Sequence, residues 1–141
     1  MNRILAILVA LCSFVSYAEV SAIKYENKMT VDGFELDYVC RGVGEPVTVL
    51  EPPSGIASEE AFKHIFEKLA KTNKTCIYAR LGSGQDSRAE GLDLSGRDYL
   101  RQLKELIRLE AKGKPLILVG YSYGSFVARL YASDYPKIVK G

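Results

Sequence analysis

The 141-residue chain has no tryptophan, a single histidine (His64) and only three cysteines. Lone cysteines and one histidine have no metal-ligand spacing, so no metal site is expected, and no motif asks for another cofactor. An excess of one charge is lacking too. Nineteen Lys and Arg against seventeen Asp and Glu leave +2, too little to argue for a nucleic-acid or membrane-surface partner. Basic clusters interleaved with stacking aromatics are absent, as are repeats, low-complexity tracts and interdomain linkers. No apolar run reaches the ~20 residues that span a bilayer. What is present is 48% apolar and 26% charged residues, the balance of a chain able to bury one core.

The first eighteen residues, MNRILAILVALCSFVSYA, differ from the rest. Arg3, the apolar run Ile4 to Val15, and small residues at Ser16 and Ala18 form the three regions of a signal peptide. Cleavage after Ala18 is expected to leave residues 19–141 as a secreted or periplasmic domain. An uncleaved anchor or a buried N-terminal helix is the alternative, and the large Leu11 before Cys12 speaks against lipidation. Cys12 leaves with the signal. Cys40 and Cys76 remain for an oxidising compartment, where either a disulfide or two buried thiols is open.

Two roughly alternating runs, IKYENKMTV and FELDYVCR, flank Asp32-Gly33, a strong hairpin signal. VTVL at 47–50 is a short apolar strand, and EPPSGIAS must be loop because its prolines remove backbone donors. Ser58 can cap a helix to about Lys71, with Phe62, Ile65, Phe66 and Leu69 on one stripe. TCIYAR, 75–80, is the next strand, followed by the polar loop LGSGQDSRAEGLDLSG. RDYLRQLKELIRLEAK reads as an amphipathic helix ended by Gly113 and Pro115. LILVG, 116–120, has the composition of a strand buried on both faces, and FVARLYASDY after Gly124 is helical. Strands alternating with helices predict an α/β fold, a mostly parallel sheet begun by an antiparallel hairpin.

Gly120-Tyr121-Ser122-Tyr123-Gly124 matches G-x-S-x-G between a strand and a helix. In a nucleophile elbow the serine occupies a strained turn, and side chains two residues either side would collide with the neighbouring strand and helix. Ser122 is therefore the candidate nucleophile. A glycine-rich turn with an incidental serine, and a phosphate-binding turn, are the rivals. The phosphate reading lacks the G-x-x-x-x-G-K-[ST] spacing. Gly82-x-Gly84 after a strand also invites a dinucleotide reading, but Ser87 holds the third glycine position and no helix starts promptly.

Three stretches together resemble the α/β-hydrolase superfamily, specifically the amino-terminal half of a secreted serine hydrolase. LDYVCRGVGEPVTVLEPPSG is similar to its second strand, turn, third strand and oxyanion loop. CIYARLGSGQDS resembles the stretch usually read as YDRPGYGRS. LVGYSYGSFVARLYASDYPKIVKG resembles the elbow, the helix after it and the lead into the next strand. The resemblance implies helices on both faces of the sheet and an ester, amide or similar small-molecule acyl substrate. It implies oxyanion donors at the backbone N–H groups of Tyr123 and Ser54, or of Ile56 if the loop is shifted. It also puts the strands bearing Cys40 and Cys76 side by side, which makes a cross-strand disulfide reasonable. Departures from the pattern are a proline where the oxyanion loop has glycine, Ala79 for a frequent Asp, and Tyr121 for a frequent His.

The family order is Ser, then Asp or Glu, then His. No His follows Ser122, and the only later carboxylate is Asp134, read here as a surface residue. His64 reads as a solvated helix residue and is not assigned as base. The triad acid and base are thus expected beyond residue 141, Ile138–Gly141 being the approach to a further strand. A truncated hydrolase is one expectation. A non-catalytic α/β-hydrolase-like binding protein that kept the elbow is the other.

Overall fold

The computed structural model describes residues 22–84 and 86–141. The expected signal segment, 1–18, lies outside the described residues. β1 (Asn27–Val31) and β2 (Phe34–Arg41) form the expected hairpin, turning at Asp32 and Gly33. Both turn residues have positive φ, 50° and 83°, the requirement of a tight primed turn.

β3 (Val47–Glu51), β4 (Thr75–Tyr78) and β5 (Leu116–Gly120) complete a five-stranded sheet in the order β1-β2-β4-β3-β5. The β2–β4 pairing is antiparallel, whereas β4–β3 and β3–β5 are parallel. The antiparallel hairpin and the parallel strands after it are as expected, the antiparallel β2–β4 pairing makes the sheet mixed, and every residue of β3 is buried within it. Cys40 pairs directly with Cys76 across β2 and β4, and a disulfide joins them.

Side chains alternate between the faces of a strand, and here they feed two cores. Leu36, Val49, Cys76 and Tyr78 pack on one face against α3 (Gly96–Glu110) and α4 (Tyr123–Asp134). Val39, Leu50 and Ile77 pack on the other against Phe62 and Phe66. Helices therefore cover both faces. α3 buries Leu103, Leu106 and Ile107, as its amphipathic spacing predicts, and Lys112 and Gly113 turn away from it with positive φ.

Several details differ from expectation. The helix expected over 58–71 is two, α1 (Ser58–Phe62) and α2 (Phe66–Ala70). Between them the backbone tightens to a three-residue hydrogen bond from Ile65 N–H to Phe62 carbonyl, and Ile65 turns to solvent. Ser58 does not cap; it is the first helical residue, and its buried hydroxyl donates to the Tyr78 carbonyl. Glu51, expected in the loop, is the last residue of β3 and pairs with Gly120, while β4 stops at Tyr78, before Ala79 and Arg80. β5 is only half-buried beyond Leu116, because its outer neighbour is the short segment 138–141. That segment joins β5 in parallel through Leu116 N–H to Ile138 carbonyl and Leu118 N–H to Gly141 carbonyl, both 2.8 Å.

Candidate functional site

Ser122 stands at the junction of β5 and α4 with φ 51° and ψ −120°. A non-glycine residue in that region is strained and persists only where its surroundings impose it. The flanking glycines are imposed by contact. A Cβ on Gly120 would lie 2.4 Å from the Ser125 Cα, and one on Gly124 would lie 2.2 Å from the Glu51 carbonyl oxygen. Hydrogen bonds lock the turn: Tyr121 N–H donates to the Glu51 carbonyl (3.1 Å) and Gly124 N–H to the Tyr121 carbonyl (2.9 Å). The Ser125 hydroxyl donates to the Gly120 carbonyl (2.8 Å). The Ser122 side chain does not cap the helix it precedes, and the residue is exposed. Its hydroxyl is thereby left at the surface of a rigid turn.

The loop carrying Ser54 leaves β3 at Glu51, the residue in register with Gly120. Gly124 also abuts the Pro52 carbonyl, where a Cβ would stand 2.6 Å from the oxygen. The start of this loop is thus pressed against the elbow. Ser54 and Ile56 are exposed on it. A cleft of about 590 Å³ is lined by Ile56, Ala57, Arg80, Ser83, Asp86 and Arg88, without Ser122.

Beneath the loop lies a charged cluster that the sequence did not disclose. Arg80 and Glu51 are 1% and 0% exposed. The Arg80 guanidinium donates to Glu51 Oε1 (2.9 Å) and to the carbonyls of Pro52 (2.7 Å) and Pro53 (2.8 Å). Tyr78 donates its hydroxyl to Glu51 Oε2 (2.7 Å). Burial pushes the Glu51 carboxyl up to about 7, with Arg80 and the Tyr78 hydrogen bond opposing. The Tyr78 phenol is pushed well above its usual value, by burial first and by the Glu51 charge. A single acidic or basic residue at the end of each apolar strand, VTVLE and TCIYAR, was the available signal.

The other candidates lie apart. His64 is exposed in the turn between α1 and α2, whose Phe62 and Phe66 pack on the face opposite α4. Asp134 ends α4 at the surface and meets Lys104 at 3.3 Å. The Gly82–Gly84 turn serves structure: Gly84 lies against Ala57, 3.0 Å from a would-be Cβ. Among the described residues no cluster of His, Cys, Asp and Glu could hold a metal, and no helix is long and apolar enough to cross a membrane.

The sequence model of a family described as having the alpha/beta hydrolase fold matches residues 48–141. Among solved structures, an alpha/beta hydrolase fold protein from Burkholderia ambifaria is similar, at 21% identity over 86% of this chain and 43% of its own, TM-score 0.71. A haloalkane dehalogenase from Agrobacterium tumefaciens is 21% identical over 82% of this chain and 38% of its own, TM-score 0.68. An N-acyl homoserine lactone degrading enzyme is 21% identical over 80% of this chain and 42% of its own, TM-score 0.69. The chain therefore spans about two fifths of the length of these structures. No curated protein matches the sequence.

Proposed function

The chain belongs to the α/β-hydrolase family, and on that premise we propose that it carries the nucleophile of an exported serine hydrolase. Its substrate is an ester, amide or similar small-molecule acyl compound, and it needs no cofactor. The observation that carries the reading is the strained φ and ψ of Ser122 between two glycines that admit no side chain. One solved neighbour is named for degrading an N-acyl compound, which agrees with acyl chemistry.

In the reaction, Ser122 Oγ attacks the acyl carbon and its proton passes to a general base. The carbonyl electron pair moves onto oxygen, which the N–H groups of Tyr123 and Ser54 receive as donors. Collapse expels the alcohol or amine, which takes the proton back. Water then cleaves the acyl-serine and restores Oγ. His64 and Asp134 are placed for neither role, and no base or acid is assigned. Export rests on the residue 1–18 pattern and agrees with a Cys40–Cys76 disulfide, which persists in oxidising compartments.

A second reading is a binding protein that kept the elbow without a triad. Labelling with a fluorophosphonate probe separates the two. A folded protein that includes the general base and acid is expected to label and its Ser122→Ala variant not to; such a protein that stays unlabelled overturns the enzyme reading.

A further inference from the structure

We propose that Arg80 is the positioning residue of the oxyanion pocket, holding the loop of one donor and the side chain of the other with a single buried guanidinium. The proposal rests on the reading of Tyr123 and Ser54 as donors.

The loop first. Pro52 and Pro53 have no N–H, so this stretch can be fixed through its backbone only by its carbonyls. Arg80 takes both, at 2.7 and 2.8 Å, immediately before Ser54. Ser54 and Gly55 are exposed and otherwise packed by little. The position of the Ser54 N–H therefore depends on where Arg80 holds the two preceding carbonyls.

The elbow side is reached by the same group. The guanidinium carbon lies 4.5 Å from the Tyr99 ring centroid and 5.8 Å from that of Tyr123. Tyr99 and Tyr123 meet edge to face at 5.7 Å. The residue immediately after the nucleophile is thus packed against the cation that fixes the opposing loop.

Arg80 is itself held firmly. Its carbonyl accepts the Ser83 N–H (2.9 Å) and hydroxyl (2.7 Å), and the next N–H, of Leu81, donates to the Gln102 side chain (2.9 Å). Glu51 meets one end of the guanidinium. Its Nε is buried with no hydrogen-bond partner. A buried guanidinium with an orphaned donor is a poor way to gain stability, since apolar residues of equal volume often do better. The planar fork instead reaches two carbonyls and a carboxylate at once, which lysine cannot.

The test uses the full-length protein with Arg80→Met and Arg80→Lys. Backbone ¹⁵N relaxation reads positioning without needing activity. In wild type, Ser54 is expected in the rigid range, near an order parameter of about 0.85, and in Arg80→Met below about 0.6. The β1–β2 hairpin should not change. With a fluorophosphonate probe, the maximal labelling rate of Arg80→Met should fall about 100-fold, the scale of one lost oxyanion donor. The concentration for half-maximal rate should move by only a few-fold, and Arg80→Lys should recover part of the rate by holding one carbonyl. Should Arg80→Met fail to fold, Arg80→Lys decides: a Ser54 as rigid as in wild type overturns the proposal. Rigid Ser54 and unchanged labelling in Arg80→Met overturn it as well. A wild type that never labels removes the nucleophile reading of Ser122, while a loosened Ser54 in the variants still upholds the clamp.

Discussion

Gly124 lies so close to Glu51 that a Cβ on it would stand 2.2 Å from the Glu51 carbonyl oxygen. The elbow and the end of β3 are thus one rigid unit. Gly124→Ala must push β3 away from α4 and should cost about 2 kcal/mol or more in urea unfolding, the scale of an overpacked core. Gly33→Ala, with open space around it but φ of 83°, should cost about 1 kcal/mol from backbone strain alone. Equal costs would remove the contact argument.

Ser122 holds a backbone conformation that glycine tolerates better. Strain of about 1–3 kcal/mol is relieved in Ser122→Gly, against about 0.4–1 kcal/mol of added unfolded-state freedom. Ser122→Gly should therefore unfold at higher urea than wild type while losing all probe labelling, and Ser122→Ala should gain no such stability. A destabilised Ser122→Gly would mean that the serine is not strained.

Glu51 sets a pH dependence whose sign is fixed by its raised folded-state value, about 7. The native state keeps its proton where the unfolded chain, near the ordinary Glu value of about 4.3, has released it. Its contribution is fully present below the unfolded value and is lost as pH rises through about 7. Wild-type stability should fall relative to Glu51→Gln between those limits, by at most about 1.4 kcal/mol per pH unit. Unfolding free energies measured across that window check this. A rising difference would show that pairing with Arg80 outweighs burial.

The Cys40–Cys76 disulfide closes a loop of 36 residues in sequence separation. Chain-entropy scaling puts its loss at about 3–4 kcal/mol. Protein recovered from an oxidising compartment should gain about two mass units on reduction, and Cys40→Ala with Cys76→Ala should lose stability on that scale. Free thiols in exported protein would contradict both the bond and its reason.

Much of this architecture was legible in the sequence because it obeys local rules. The Asp32-Gly33 turn, the Leu103/Leu106/Ile107 stripe and the glycines around Ser122 each answer to a steric or periodic demand within a few residues. What escaped depends on distant partners. Glu51 and Arg80, 29 residues apart, read as a loop acid and a strand-end base until the sheet brings them together. The 62/65/66/69 spacing fits one continuous helix, yet the chain tightens at Ile65 and buries only Phe62 and Phe66. LILVG has the composition of a fully buried strand, but burial is set by neighbours, and its outer neighbour is only the short segment 138–141.

Site-resolved mass spectrometry after fluorophosphonate treatment of the folded protein reads the nucleophilicity of Ser122 most directly. The adduct is expected on the peptide bearing Ser122 alone, absent from Ser122→Ala and from heat-unfolded protein. An adduct on another serine, or none on protein whose melting transition is intact, would contradict a nucleophilic Ser122.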